Sequence, residues 1–397
     1  MQIKRNVINQ LHDDLSTRTI SILVGARQVG KTFLLRQIEK EAQKRGLKTA
    51  FFDLEQPEDL LTFSKSDREL VEFISGAGDV VFIDEFHYLK NSSRLFKAIY
   101  DKGHKIKIFA SGSSAMEIHT HLKESLAGRK NIYGIYPCCL AEIGQVIQDN
   151  PFAYYCQYGG MPGLVNLPTK DKKQALLVDI LQSYLLKDIK ALIKEENIRA
   201  FNNLLFLLAQ YQGSITPVSN LANEIRLTAA TIESYLEILS QTYVNFVLHS
   251  FSGNYANELK KSKKYYLYDL GIRNALLKNF SALENRSDAG EVAESFVFLE
   301  LQKKLNPETE IRFWRLKSGE EVDFIWIHNQ VPFPIEVKRS WKLGEIPDGL
   351  RAFLKRYPKT KKAFIVSGNA EGTRSYESTE IIYKTWPMVS DIPDKVA

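Results

Sequence analysis

The segment TISILVGARQVGKTFLLRQI, residues 19–38, constrains the fold of this chain more than any other. Residues 19–24 are mostly β-branched or apolar, which is typical of a buried parallel strand. The loop GARQVGKT, residues 25–32, comes next, and apolar residues at helical spacing follow it. A strand, a glycine-containing loop of this pattern and a helix form a phosphate-binding P-loop. The sequence therefore predicts an α/β domain built on a parallel sheet.

The residues of this loop have expected roles in binding a nucleoside triphosphate. The glycines let backbone N–H groups face the phosphates, and the helix N-terminus adds positive potential. Lys31 is expected to reach the β- and γ-phosphates, and the Thr32 hydroxyl to bind Mg²⁺. The predicted nucleotide contacts are Gly25, Ala26, Arg27, Gln28, Val29, Gly30, Lys31, Thr32, Phe33 and Ser111.

Two carboxylates follow an apolar segment about fifty residues further on. In DVVFIDEFHYL, residues 80–83 predict a buried strand that ends at Asp84 and Glu85. A P-loop enzyme needs a carboxylate at a strand end to hold Mg²⁺ through water, which we assign to Asp84. Glu85 is suited to act as the general base. The alternative is that these acids only cap a helix. His87 is expected to begin a helix rather than to act in catalysis.

Further residues of the first domain were assigned from their positions beside predicted strands. Residues 106–110 predict a strand, and either Ser111 or Ser113 could sense the γ-phosphate, with a simple turn as the alternative. Residues 51–59 predict another strand of the same sheet. Arg129 precedes the last predicted strand, where it could act as a sensor or as a finger toward a neighbouring subunit. The alternative is that Arg129 is a surface charge.

The middle of the chain predicts helices followed by a winged helix-turn-helix. Residues 171–209 show apolar residues at helical spacing. Residues 214–251 predict two short helices and a strand, which is the order of a winged helix. The second of these helices carries Glu233 and Glu237 but no Lys or Arg. Because such a helix cannot neutralise phosphates, packing or dimerisation is favoured over DNA contact.

The tail contains charges on segments that otherwise predict strands. In EVDFIWIHNQVPFPIEVKRS, alternation places Glu336 and Lys338 on one face. If Asp323 lies opposite, Asp323 and Glu336 could hold Mg²⁺. Lys338 could then polarise a water or stabilise charge on a phosphate. Glu294, on the preceding predicted helix, could complete the cluster. The alternative is a solvent-facing salt bridge.

Charge and cysteine content bear on partners and compartment. The chain has 397 residues and a formal net charge of +6, and residues 254–362 contain 21 Lys and Arg against 15 Asp and Glu. A basic region with interleaved aromatics is a candidate DNA-binding surface, although a solvated lysine face gives the same pattern. Three cysteines without a CxxC, no signal core and no apolar run of about 20 residues favour a cytoplasmic protein without a membrane span.

Several motifs together resemble a family of prokaryotic AAA-type ATPases whose ATPase domain is joined to a C-terminal domain of unknown function. These are GARQVGKT, FIDEFHYL, ASGSS, LAGR and YGGMPGLV. The Asp…Glu-x-Lys pattern of the tail resembles restriction-endonuclease-like (PD-(D/E)XK) nucleases. The resemblance implies ATP as the nucleotide, a P-loop ATPase domain at 1–150, a helical linker and winged-helix-like domain at 151–270, and a nuclease-like α/β domain at 271–397.

Two functions from different classes follow from these interpretations. The first is an ATP-hydrolysing enzyme whose nucleotide cycle controls a nuclease-like, DNA-binding tail, with nuclease activity left open. The second is a nucleotide-dependent switch whose tail is catalytically silent and binds a protein partner. A chaperone-like or transport-associated ATPase is a third, weaker alternative. Homo-oligomerisation is left open, and it decides whether Arg129 acts within its own chain or in a neighbour.

Overall fold

The structure is a computed structural model of the 397-residue chain. It describes residues 2–89, 92–103, 105–112, 126–183, 198–251 and 263–396. The chain forms two units, and each is described by itself. The first unit comprises Met1–Cys138 and Glu237–Val244, and the second comprises Cys139–Leu236 and Asn245–Ala397. The predicted division at residues 150 and 270 stays a prediction.

The first unit is built on a parallel sheet. Its elements are α1 Ile8–Asp13, β1 Ile20–Val24, α2 Lys31–Lys44, β2 Thr49–Asp53, α3 Pro57–Thr62, α4 Asp67–Ala77, β3 Val80–Asp84, α5 Ser92–Asp101, β4 Lys107–Gly112 and β5 Lys130–Gly134. The strand order is β2-β3-β4-β1-β5, and all pairs are parallel. Every residue of β1 and β3 is buried. This agrees with the apolar segments that predicted these strands, because central parallel strands are covered on both faces.

The register of this sheet determines which side chains meet at its carboxyl edge. Leu23 of β1 pairs with Ser111 of β4, and Ile83 of β3 pairs with Ala110. The last residue of β3 and the loop after β1 therefore lie at the same edge. The strand predicted at residues 51–59 is too long, since β2 ends at Asp53. Pro57 begins a helix there, as proline often does at a first helical position.

The second unit begins with helices and a two-stranded hairpin. The elements are α6 Leu140–Gly144, α7 Pro151–Tyr158, α8 Lys170–Ile180, α9 Ile198–Gln210, α10 Val218–Ile225, α11 Ala229–Gln241, β6 Asn245–Leu248, β7 Lys264–Leu267 and α12 Leu270–Leu277. The last part of α11, from Glu237, is assigned to the first unit. Strands β6 and β7 are antiparallel. Two helices followed by a hairpin match the order predicted for a winged helix, and Glu233 and Glu237 of α11 are exposed. Tyr184 and Leu185 of the predicted helix lie outside the described residues.

The remainder of this unit is one long helix and a mixed six-stranded sheet. The elements are α13 Ala289–Gln302, β8 Thr309–Arg315, β9 Glu321–His328, β10 Val331–Val337, α14 Asp348–Arg356, β11 Lys362–Ser367, β12 Gly372–Tyr376 and β13 Thr379–Thr385. The strand order is β12-β13-β11-β10-β9-β8. Asn329 and Gln330 have φ values of 47° and 66°, and they form the two-residue turn between β9 and β10. The predicted strands of the tail are therefore present.

A membrane-spanning helix was not expected from the sequence. Within the part of the chain that the structure describes, no helix combines the length and the apolar character needed to cross a bilayer.

Candidate functional site

The phosphate loop has a backbone that only some residues can adopt. A Cβ on Gly25 would lie 2.1 Å from the carbonyl oxygen of Ile135, so no side chain fits there. Gly30 has φ +98° and precedes α2, which is a conformation that glycine adopts at little cost. Arg5 holds the loop from behind, donating to the carbonyl oxygen of Val29 at 2.8 Å. No motif or spacing in the sequence singles out Arg5.

Lys31 is buried at the start of α2. Its ammonium nitrogen donates to the carbonyl oxygens of Gly25 and Ala26, each at 3.0 Å. Burial lowers the pKa of Lys31, although the nearby carboxylates of Glu85 and Asp84 oppose this shift. The lysine is therefore satisfied by its own loop, with two carboxylates close enough to influence its charge.

The two predicted magnesium ligands of this unit and the predicted sensor come together. Ser111 donates a very short hydrogen bond from its Oγ to Oδ1 of Asp84. Burial raises the pKa of Asp84, and hydrogen bonds from Ser111 and Thr32 act in the opposite direction. Thr32, Asp84 and Ser111 thus form one hydrogen-bonded group. Hydroxyl and carboxylate oxygens are the donors that Mg²⁺ prefers, so these residues fit that ion. Ser113, the alternative sensor, lies outside the described residues.

Glu85 follows Asp84 in an unusual backbone conformation. Its φ is +51°, which is uncommon for a residue with a side chain. Its Oε2 lies 3.1 Å from Nδ1 of His87. Burial raises the pKa of Glu85, but His87 and the charge of Lys31 outweigh it, and the net shift is downward. The Glu85 carboxylate therefore favours its ionised form, as a general base must, and its side chain is only 12% exposed.

The second unit contains an open cavity of about 350 Å³. The residues that line it are Gln212, Gly213, Ser214, Gly290, Glu291, Glu294, Asp323, Val337, Lys338 and Arg339. Three of the four residues predicted for the nuclease-like site are among them, namely Glu294, Asp323 and Lys338. The fourth, Glu336, lies beside the cavity on β10.

Asp323 and Glu336 lie on neighbouring antiparallel strands. The pairing of the two strands ends at Phe324 with Ile335, and Asp323 and Glu336 are the next residues on each strand. Oδ2 of Asp323 accepts a hydrogen bond from the Val337 N–H at 2.8 Å. Oε1 of Glu336 lies 2.5 Å from the Lys338 ammonium. Glu336 Oε2 is buried and has no hydrogen-bond partner among the described residues.

The electrostatics of this pair favour the binding of a cation or a proton. Burial raises the pKa of Asp323, and the Glu294 carboxylate raises it further. Burial also raises the pKa of Glu336, and Asp323 adds to the shift. Two neighbouring buried carboxylates destabilise each other's charge unless a cation or a proton is shared between them. Lys338 provides part of the compensation.

Glu294 completes the cluster, but its carboxylate already accepts hydrogen bonds from other side chains. Its Oε1 accepts from the Tyr266 hydroxyl at 2.7 Å and from the Lys264 ammonium at 3.2 Å. Lys264 also lies 2.7 Å from Oε1 of Glu321. No motif or spacing in the sequence singles out Lys264 or Tyr266. Lys264 belongs to the basic region between residues 254 and 362, but its side chain is only 2% exposed, so it is not part of a solvated lysine face.

Across the described ranges, no group of three or more His, Cys, Asp or Glu side chains is arranged to hold a metal ion. Asp323 and Glu336 contribute two carboxylates. Because Mg²⁺ retains several waters and takes only one or two protein carboxylates, the pair still fits that ion.

Three family models match successive parts of the chain. Residues 149–283 match a domain of unknown function (DUF8612), and residues 289–386 match a second (DUF4143). Residues 17–144 match an AAA domain. The parallel sheet and the phosphate loop of the first unit agree with the α/β fold of a P-loop NTPase, and the predicted α/β fold is confirmed. The nuclease-like character of the tail stays a prediction.

The chain is similar to proteins from bacteria and archaea. The uncharacterized protein Rv2008c of Mycobacterium tuberculosis is 24% identical over 340 residues, which cover 85% of this chain and 74% of that protein. MJ1544 of Methanocaldococcus jannaschii is 26% identical over 346 residues, covering 81% and 75%. Among solved structures, AMPPCP-bound DnaA from Aquifex aeolicus has 14% identity and a TM-score of 0.33, covering 59% and 86%. That structural likeness is too low to support a functional argument.

Within the AAA-type domain, Arg129 lies far from the phosphate loop. It immediately precedes β5, whose first residue pairs with Ile20 at the start of β1. The loop follows the other end of β1, so the strand length separates them. The Arg129 side chain instead pairs with Asp101 at 2.8 Å. The structure thus does not bring Arg129 to the phosphate loop of its own chain, and its role as a sensor or as a finger toward a neighbouring subunit stays a prediction.

Arg27 and Phe33 are two further residues that the sequence predicts to contact the nucleotide. Arg27 pairs with Glu55 at 2.9 Å, and both side chains are partly exposed. Phe33 is one of the exposed large apolar residues. Both remain predicted nucleotide contacts.

Proposed function

We propose that the AAA-type domain binds ATP with Mg²⁺ and hydrolyses it, and that its nucleotide cycle controls a nuclease-like, DNA-binding tail. The observation that carries the proposal is the hydrogen-bonded group of Thr32, Asp84 and Ser111 at the edge of the sheet. Lys31 and Glu85 lie close enough to this group for charges within the site to shift pKa values. This arrangement brings together the residue types that phosphoryl transfer requires.

The chemistry at the first site follows from these side chains. Thr32 and Asp84 would hold Mg²⁺, which when bound would supply positive charge to the phosphates. Lys31 leaves the carbonyl oxygens of its loop and contacts the phosphates. Glu85 accepts a proton from the water whose oxygen attacks the γ-phosphorus. The bond to the β-γ bridging oxygen breaks, and ADP leaves with the electron pair.

The acidic cavity of the second unit supports the second half of the proposal. Asp323 and Glu336 would hold Mg²⁺, for which their raised pKa values and the unpartnered Glu336 oxygen argue. Lys338 would stabilise charge on a phosphodiester during hydrolysis. The basic residues between positions 254 and 362 would attract the DNA backbone.

A second candidate function is a nucleotide-dependent switch with a silent tail that binds a protein partner. One observation favours it. Lys338 contacts Glu336 at 2.5 Å, and Lys264 contacts Glu294 at 3.2 Å. Each of these acids therefore already has a cation from the chain itself, as in a cluster with a purely structural role.

Purified full-length protein can distinguish the two candidates. We would measure ATP turnover and Mg²⁺-dependent cleavage of single- and double-stranded DNA. Asp323→Ala should abolish cleavage and keep ATP turnover, while Asp348→Ala, at an exposed position, should change neither. ATP turnover without any cleavage would support the switch. Absence of ATP binding in magnesium buffer would refute both candidates.

A further inference from the structure

Lys264 is an unusual residue for the interior of a domain. Lysine is rarely buried completely unless it is paired, because its ammonium group is strongly hydrated. Here the side chain is 2% exposed and lies against Glu294 and Glu321, at 3.2 Å and 2.7 Å. It comes from β7 of the hairpin, whereas its partners come from α13 and β9. Three separate elements thus converge on one ammonium group.

The surroundings keep this group positively charged. Burial alone lowers the pKa of Lys264, but the carboxylates of Glu294, Asp323 and Glu321 reverse this, and the net shift is upward. The Tyr266 hydroxyl donates a second hydrogen bond to Glu294. Gly213 lies close to the same oxygen, since a Cβ there would lie 3.0 Å from Glu294 Oε1. Glu294 Oε1 therefore accepts two hydrogen bonds from side chains of this chain.

Formal charges at the acidic site can be counted. Four carboxylates contribute, from Glu294, Glu321, Asp323 and Glu336, and two ammonium groups oppose them, from Lys264 and Lys338. Counted as ionised, these six groups leave two negative charges, which one divalent cation neutralises. The count leaves out Arg315, which contacts Glu321 at 3.2 Å with a side chain that is 47% exposed, and the cavity-lining Glu291 and Arg339.

Some hydrolytic sites contain two metal ions about 3.5–4 Å apart, and these need additional carboxylates. Building on the metal site of the proposed function, we infer that Lys264 replaces a second metal ion, so that the cavity takes one divalent cation and not two. The ion lies between Asp323 and Glu336. Glu294 and Glu321 are bound to Lys264 and do not ligate it. Glu291 lines the cavity with an exposed side chain and supplies only one carboxylate.

Mn²⁺ binding to the full chain tests this inference without an activity measurement. Titration followed by electron paramagnetic resonance counts bound ions, and Asp323→Asn gives the background from other sites. The wild type should bind one more Mn²⁺ than Asp323→Asn. Lys264→Gln should bind two more Mn²⁺ ions than Asp323→Asn. The first of them should bind about tenfold more tightly than in the wild type, because a positive charge is lost. Lys264→Arg should bind one more Mn²⁺ than Asp323→Asn, since it keeps the charge.

Glu294→Gln provides a test that does not depend on the folding of a Lys264 variant. This change should leave the ion count unchanged, because Glu294 is not a ligand. Loss of the ion in Glu294→Gln, or an unchanged count and affinity in folded Lys264→Gln, would overturn the inference. Equal counts in the wild type and Asp323→Asn would instead remove the metal site of the proposed function, and the inference with it.

Discussion

Glu85 and His87 are in contact, with Oε2 of the glutamate 3.1 Å from Nδ1 of the histidine. His87 lies in the short 3₁₀ helix Phe86–Tyr88, so the prediction that it lies at a helix start holds. The contact also gives His87 a positioning role, because the ring holds the Glu85 carboxylate that we assign as the general base. The backbone of Glu85 is left-handed, and such strain persists where the surroundings enforce it.

We expect His87→Ala to lower kcat for ATP about tenfold and to leave KM nearly unchanged. The base would remain, but its carboxylate would lose the ring that orients it, and orientation affects the transition state more than binding. His87→Asn should recover most of the rate, because its side-chain N–H can occupy the position of Nδ1. Steady-state kinetics provides the measurement. A KM that changes in parallel with kcat would indicate a structural effect.

Glu85→Gln should retain nucleotide binding and slow hydrolysis by roughly 10²–10⁴-fold, the usual contribution of a general base. Glutamine keeps the size of the side chain and cannot accept the proton. Affinity for a fluorescent ATP analogue and single-turnover hydrolysis measure the two effects separately. Turnover at the wild-type rate would show that another group is the base.

Lys31→Ala should weaken nucleotide binding by about ten- to a hundredfold, which corresponds to the loss of charge-assisted hydrogen bonds to phosphate. Lys40→Ala is the matched control, since Lys40 is exposed on the same helix. Isothermal titration with a non-hydrolysable analogue and Mg²⁺ measures both. Equal affinities for the two variants would contradict the assigned role of Lys31.

The sites of the first unit were predictable because a short motif specifies them. The spacing from Gly25 to Thr32 determines the loop, and the apolar strand before Asp84 brings that residue to the same edge. The sequence also allows an inference about which end of the sheet Arg129 lies at. A strand parallel to β1 must start at the edge opposite the loop, so a residue that precedes it cannot reach the phosphates.

In the second unit, local alternation predicted part of the site. Glu336 and Lys338 share a face because they are two residues apart on one strand. Lys264 could not be predicted in this way. Its neighbours in sequence are lysines and tyrosines, which indicate a solvated surface, and its partners are 30 or more residues away. Only the tertiary arrangement of hairpin, helix and sheet reveals that it is buried.

Gly349→Ala should destabilise the second unit by about 1–3 kcal/mol, the usual cost of overpacking. A Cβ at this position would lie 1.8 Å from the carbonyl oxygen of Glu321, which is backbone and cannot rotate away. All four tryptophans lie beyond residue 313, so their fluorescence in urea reports this unit. Gly290→Ala is the control, since a Cβ there meets no atom within 4 Å. Equal unfolding midpoints for the two variants would contradict the close approach.

The burial of Lys107 should make the free energy of unfolding of the first unit depend on pH. It is buried at the start of β4, where its ammonium donates to the carbonyl oxygen of Thr19 at 2.5 Å and to Ser21 Oγ at 2.8 Å. Asp14 lies 3.9 Å away. Burial lowers the pKa of Lys107 to about 8, although Asp14 opposes the shift. The unfolded chain, with a lysine pKa of about 10.4, therefore binds more protons between pH 8 and 10.

Stability rises with pH wherever the unfolded state binds more protons. The first unit should therefore gain about 1–2 kcal/mol from Lys107 between pH 7 and 9.5, allowing for solvent screening. Lys107→Met lacks this gain, so the difference between wild type and variant should grow in favour of the wild type as pH rises. Lys40→Met should follow the wild type. Circular dichroism in urea can record the transition, since the first unit contains no tryptophan. Parallel pH curves for wild type and Lys107→Met would mean that Lys107 keeps its proton throughout this window.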